Sequence, residues 1–195
     1  MASLAPAERL FTYSDYRTWG EGRLELIDGK VFDLSGASNT AHQRVIVALA
    51  FQVYRFFSER AFGEVFIAPF DVRLPVSIEP DDAVGTVVQP DVLVVCDPEK
   101  IDKFGCRGAP DWVIEVISPS TASKDQMLKR KIYERHGVRE YWLVHPGDRT
   151  LTVYRPNGQG RYGAPEVVDA TGTTGIELFP DLQIEWVGVF QSFQD

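Results

Sequence analysis

The longest periodic stretch runs from 38 to 60, SNTAHQRVIVALAFQVYRFFSER. Val45, Leu49, Val53 and Phe56 fall on one stripe, with Ile46, Ala50 and Phe57 beside it. That spacing predicts an amphipathic helix. A second helix is predicted over SKDQMLKRKIYERHG (123–137), closed by Gly137 as a left-handed cap. YSDYRTWG (13–20) reads as a short helix with Ser14 as its N-cap. Elsewhere the period drops to two. RLELIDGKVFDL (23–34) is a hairpin about Asp28-Gly29, a favoured two-residue turn. GEVFIAPFDVRLP (63–75) alternates as a half-buried strand, and VVQPDVLVVC (87–96) is a strand interrupted by Pro90. The stretch between them, 76–87, is acidic and loop-like. PDWVIEVIS (110–118) is a buried strand, and EYWLVHP (140–146) with TLTVYRP (150–156) is a hairpin. The C-terminal third holds short strands and turns. Strand, helix and strand from 110 to 146 make a crossover unit in a mixed central sheet, so the class is α/β or α+β.

A chain of 195 residues, 44% hydrophobic, suffices for one domain with its own core over 1–195 and is thin for two. No stretch approaches the roughly 20 apolar residues of a membrane span. The first ten residues, MASLAPAERL, lack the pattern of a secretory signal. The expected compartment is the cytoplasm. Cys96 and Cys106 form no CxxC pair and are expected to be free thiols. His42, His136 and His145 stand too far apart for a local zinc motif. The net charge of −8 counts against avid, sequence-blind binding to a phosphate backbone. Residues 120–139 run the other way, with Lys124, Lys129, Arg130, Lys131, Arg135 and Arg139 against Asp125 and Glu134.

The chemistry centres on Glu115, a carboxylate inside an apolar strand, which is costly to bury without a partner. Asp111, Val113, Glu115 and Ile117 share a face by alternation. Asp111, at the strand start, is expected to be exposed. Asp91 follows Pro90 on the preceding strand and meets Glu115 if the two strands are neighbours. Two adjacent carboxylates repel, and a hard divalent cation removes that cost. The pair therefore suggests a Mg²⁺ or Mn²⁺ site. The alternative is an ion pair for Glu115 and a turn cap for Asp91. Lys129 either pairs with Asp125 on the helix surface or reaches the acids.

PDVLVV, PDWVIEVISPST and KDQMLKRKIYERHGVREYWLV resemble the core of the PD-(D/E)XK nuclease superfamily, and more closely the bacterial Uma-two family of endonuclease-like proteins. LELIDGKVFDLSG, AHQRV, GEVFIAPFDVRLP and LFPDLQIEWVGVF extend the resemblance over nearly the whole chain. It implies a restriction-endonuclease-like α/β fold, with a mixed central sheet flanked by helices. It implies that Asp91 and Glu115 bind metal and that Lys129, on the following helix, serves as the catalytic lysine. The wider superfamily carries that lysine two residues after the acid, where this chain has Ile117. Glu25 matches a further acid, and His42 a helix position near the site. The alternatives are an outward hairpin residue for Glu25 and a packed helix residue for His42. Ser120 or Thr121, in SPST, either caps the helix or contacts a phosphate. His145-Pro146 stands where family members often have Asp-Pro.

The function expected from these residues is Mg²⁺-dependent endodeoxyribonuclease activity, hydrolysing DNA phosphodiester bonds. Asp91, Glu115 and the backbone carbonyl of Val116 would hold the metal. Lys124, Arg130 and Lys131 would meet nucleic acid, and a homodimer would suit duplex cleavage. Two other classes remain open at this point: a catalytically inactive binding or structural module on the nuclease fold, and a hydrolase of a small phosphate substrate. GQGRYG (158–163) spells a dinucleotide fingerprint but lacks its strand–turn–helix context and reads as a hairpin loop. Trp112, Trp142 and Trp186 are expected in the core or at an interface.

Overall fold

The computed structural model describes residues 9–20, 24–34, 39–118 and 124–190. Its helices are α1 (Tyr13–Tyr16), α2 (Thr40–Ser58), α3 (Arg130–His136) and α4 (Trp186–Phe190). In chain order the strands are β1 (Leu24–Ile27), β2 (Lys30–Asp33), β3 (Glu64–Ile67), β4 (Val72–Arg73), β5 (Val87–Val88), β6 (Val92–Val95) and β7 (Ile101–Asp102). They continue with β8 (Gly105–Arg107), β9 (Trp112–Val116), β10 (Glu140–His145), β11 (Thr150–Tyr154), β12 (Glu166–Asp169), β13 (Thr173–Ile176) and β14 (Phe179–Glu185).

The central sheet has the order β12-β11-β10-β9-β6-β3. β9 and β10 run parallel, because a helical segment carries the chain across between them, and the other pairs are antiparallel. A second sheet, β2-β1-β5-β4-β8-β7, is built largely from two- and three-residue strands. Alternation divides β9 and β10 between two cores. Trp112, Ile114, Val116, Trp142 and Val144 face α2, whose Val45, Ile46, Leu49, Val53 and Phe57 fill that side. Val113, Tyr141 and Leu143 face the other way, against Ile132 and Tyr133 of α3 and against Val72 and Val88 of the second sheet. Glu115 belongs to this second face. It therefore points into the space between the central sheet, the second sheet and the crossover segment.

Several local expectations change in detail. The α2 stripe ends on Phe57, not Phe56, which is only partly buried. α1 is capped by Thr12, not Ser14: Asp15 reaches back to the Thr12 N–H at 3.0 Å. The stretch 63–75 is not one strand. It breaks at the cis Ala68-Pro69 bond, and β3 and β4 enter different sheets. The break at Pro90 likewise sends β5 to the second sheet and β6 to the central one. Asp111 is buried, not exposed, because its carboxylate accepts the Cys96 N–H at 2.8 Å and faces Arg139 at 3.3 Å.

Other local readings hold. Asp28 and Gly29 take positive φ of 49° and 77°, the geometry of the expected hairpin turn. Gly137 caps α3 at φ 82°. The GQGRYG segment lies in a turn, where Asn157 accepts from the Gln159 and Arg161 N–H groups. Trp112, Trp142 and Trp186 are core residues. Cys96 and Cys106 are free thiols, both pushed up, chiefly by burial, to about 11 and about 12 respectively. Among the described residues no helix is long and apolar enough to cross a membrane.

Candidate active site

β6 begins at Val92, and its register with β9 pairs Val92 with Ile114. One step further along the same register stands Asp91, opposite Glu115. Asp91 has left the ladder, and its side chain takes over the ladder's role. Its Oδ2 accepts the Val116 N–H at 2.8 Å. The Ile117 N–H donates to Val144 on the opposite side. In an extended strand the N–H and C=O of one residue leave on the same side, so the Val116 carbonyl also faces the Asp91 edge.

His42 stands in the first turn of α2. Asn39, the N-cap, fixes that turn by accepting the His42 N–H at 2.8 Å. The imidazole Nε2 lies 3.3 Å from Asp91 Oδ2, while Nδ1 is buried with no hydrogen-bond partner among the described residues. His42 thus touches one of the acids directly.

Lys129 closes a π-helical segment, Lys124–Lys129, that leads into α3. The wider turn aims its side chain back at the sheet. Lys129 is 2% exposed, with Nζ 2.7 Å from Glu115 Oε1 and 3.0 Å from Glu25 Oε1. Glu25 comes from β1 and is fully buried, so it is no outward hairpin residue. Its Oε1 also accepts the Gln89 N–H at 2.9 Å. The Tyr133 hydroxyl, one turn beyond Lys129, donates to Glu115 Oε1 at 2.8 Å. An ammonium this deep is tolerable only between opposite charges, and the two carboxylates supply them.

The structure therefore gathers Glu25, Asp91, Glu115, Lys129 and His42 at one edge of the central sheet. It does not bring Arg130 into the group: its guanidinium lies over the Tyr154 ring at 5.3 Å and pairs with Glu134 at 3.5 Å. Lys131 is exposed on α3. The side chains of Lys124 and Asp125, and residues Ser120 and Thr121, lie outside the described part. His145 is at the end of β10, its ring 3.4 Å from the Thr152 hydroxyl. Two residues of the network were not singled out from the sequence. Tyr133 could have been found from its one-turn spacing to Lys129. Gln89 carried only its place before Pro90-Asp91.

Among the described residues no three His, Cys, Asp or Glu side chains converge on one point as a metal cage. A Mg²⁺ or Mn²⁺ ion does not need one, since such ions commonly take one or two protein carboxylates and complete their shell with water and substrate phosphate. Asp91 and Glu115, with a main-chain carbonyl on the same edge, fit that mode by their hard-oxygen chemistry.

A Synechocystis sp. protein, "Uncharacterized protein slr1290", is 27% identical over 152 residues, covering 75% of this chain and 74% of its own. A crystal structure from Anabaena variabilis, described as a "putative nuclease belonging to DUF820", superposes with a TM-score of 0.68 at 20% identity. The superposition covers 86% of this chain and 89% of that one. The likeness shows a shared fold. Residues 13–187 match the model of the Uma2 family, described as "Putative restriction endonuclease". That match spans Glu25, Asp91, Glu115 and Lys129, and the chain belongs to the Uma2 family.

Proposed function

We propose that this protein is a metal-dependent nuclease that hydrolyses phosphodiester bonds in DNA. The observation that carries the reading is Lys129, buried between Glu25 and Glu115, with Asp91, paired to His42, opposite Glu115 in the strand register. These groups come from the second sheet, from both strands at one end of the β6–β9 register, from the crossover helix and from α2. Holding five polar side chains at the end of an apolar sheet costs stability, and such outlay is typical of a working site.

Asp91, Glu115 and the Val116 carbonyl would hold Mg²⁺ or Mn²⁺. Bound there, the ion supplies a water of lowered pKa and offsets phosphate charge. The chain's own groups do the rest. His42 keeps Asp91 in place through Nε2. Tyr133 and Lys129 fix the Glu115 carboxylate. The Lys129 ammonium stabilises the negative charge that grows on the phosphate oxygens as the water oxygen bonds to phosphorus. The bond to the leaving oxygen then breaks, the water's proton passes to solvent, and the leaving oxygen takes up a proton from solvent to leave as the alcohol. Because Lys129 donates from the helix, the apolar Ile117 two residues after Glu115 does not empty the site of a lysine.

The test is cleavage of plasmid and oligonucleotide DNA by wild type and by Glu115→Gln, with Mg²⁺, with Mn²⁺ and with chelator. The expected result is cleavage that needs metal and falls by at least about 10²-fold in the variant. Equal cleavage by the variant, or cleavage undiminished by chelator, would overturn the reading. Absence of any cleavage by the metal-loaded wild type would remove DNA as the substrate.

A further inference from the structure

Residues 45–54 of α2, VIVALAFQVY, contain no charge. A helix that is apolar all round is normally covered all round. α2 is covered on one side only. Val45, Ile46, Leu49, Val53 and Phe57 fill the core. Val47, Phe51 and Tyr54, on the opposite face, are 61–63% exposed.

Two features of this outer face say what covers it. The first is shape. Phe51 is a ridge between two recesses. One, of about 500 Å³, is bordered by Thr40, Arg44 and Val47. The other, of about 560 Å³, lies between α2, at Gln52 and Arg55, and the corner of β14 and α4, at Glu185 and Gly188. Phe51 and the small Ala48 border both. A protruding ring and the hollows that would take such a ring thus share one surface, as a two-fold contact between identical chains requires. The second feature is spacing and charge. Arg44, Val47, Phe51, Tyr54 and Ser58 recur at alternating intervals of three and four, the seam of a helix pair. Arg44 stands near the start of α2 and Glu59 just past its end, both exposed. A parallel pair would set Arg44 against Arg44 and Glu59 against Glu59. An antiparallel pair sets each Arg44 beside a Glu59.

We propose that α2 pairs antiparallel with α2 of a second copy of this chain, with Phe51 on the two-fold axis. Each Phe51 ring then enters the recess over the partner's Ala48. Val47 lies against the partner's Tyr54, and Arg44 meets the partner's Glu59. The pairing is a property of α2 and stands apart from the nuclease reading. It also bears on the candidate site. His42 is in the first turn of the same helix, nine residues before Phe51. At ~1.5 Å per residue the two His42 positions lie about 27 Å apart along the seam, so the pair fixes the spacing of two acid clusters.

The experiment is sedimentation equilibrium of the full chain from about 1 to 100 μM, the range suited to an interface of one helix pair. Wild type is compared with Phe51→Glu, Arg44→Glu, Glu59→Arg and the double reversal of Arg44 and Glu59. Phe51 is exposed in the single chain, so its replacement leaves the core packing in place, and circular dichroism checks the fold of each variant. Wild type should sediment at twice the mass of one chain at the top of the range. Phe51→Glu should raise the dimer dissociation constant at least about 30-fold, the scale of a lost interface hot spot. Each single reversal should raise it about threefold, the scale of an exposed ion pair. The double reversal should return it to within about twofold of the wild type. A wild type that stays monomeric throughout would overturn the proposal and assign the face to a different partner. A dimer that Phe51→Glu leaves intact would sit on another surface and overturn it too. Single reversals that the double reversal does not rescue would exclude the antiparallel register, and the proposal with it.

Discussion

Lys129→Ala should lower folding stability by about 3–5 kcal/mol, the usual range when one partner is removed from a buried ion pair. The ammonium lies between Glu115 at 2.7 Å and Glu25 at 3.0 Å, and all three side chains are almost wholly buried. Alanine leaves two carboxylates facing each other in a poorly solvated space, where at least one is driven to take up a proton. It also removes the positive charge assigned to the phosphate, so metal-dependent cleavage should fall by about 10²- to 10³-fold. Urea unfolding and a cleavage assay read the two losses separately. Combining Lys129→Met with Glu115→Gln should restore part of the stability, because only one of the two facing carboxylates, Glu25, then remains, while activity stays lost. Unchanged stability in Lys129→Ala would show that the buried triad is weaker than its distances imply.

Trp142→Ala should cost about 3–5 kcal/mol as well, through a cavity. Trp142 is fully buried on β10, edge-on to Trp112 with ring centroids 4.9 Å apart and stacked near Trp186 at 6.4 Å. Its Nε1 donates to Glu140 Oε1 at 2.7 Å. Glu140 is itself buried and also holds Arg155 and the Leu178 N–H. Truncation thus removes a large apolar volume and one of three donors to a buried acid. The adjacent residue of β10, Leu143, pairs with Glu115, so loosening this strand also loosens the catalytic edge. The denaturant midpoint should drop at a constant slope. A loss under about 1 kcal/mol, the scale of an ordinary surface change, would contradict the packing described.

The central features were legible because they are local or follow from parity. β9 announced itself as a run of bulky residues around one acid. The helix after it ended at its glycine, and Asp28-Gly29 named its own turn. Glu115 was visible as an anomaly, and Asp91 followed from the strand before it. The placement of Lys129 was not decidable from the sequence, since an i, i+4 partner on the helix was equally available. The π-helical turn that aims it inward depends on packing. The second sheet was not legible either. β4 and β5 are two residues long, and their pairing is set by long-range fit rather than by pattern. The hydrogen bonds among Tyr16, Asp71 and Gln89 join positions far apart in the chain, and no spacing rule links them. Thr12 displaced Ser14 as a cap because Asp15, three residues after Thr12, could reach back to it.

The most direct test of the account is calorimetric titration of Mn²⁺ into the wild type and into Asp91→Ala combined with Glu115→Ala, each checked for folding by circular dichroism. The account predicts saturable binding to the wild type and none to the folded double variant, with the same contrast when a DNA oligonucleotide is present. Binding that survives loss of both acids, or a wild type that binds no Mn²⁺ with or without the oligonucleotide, would contradict it and leave Glu115 as the ion-pair partner of Lys129.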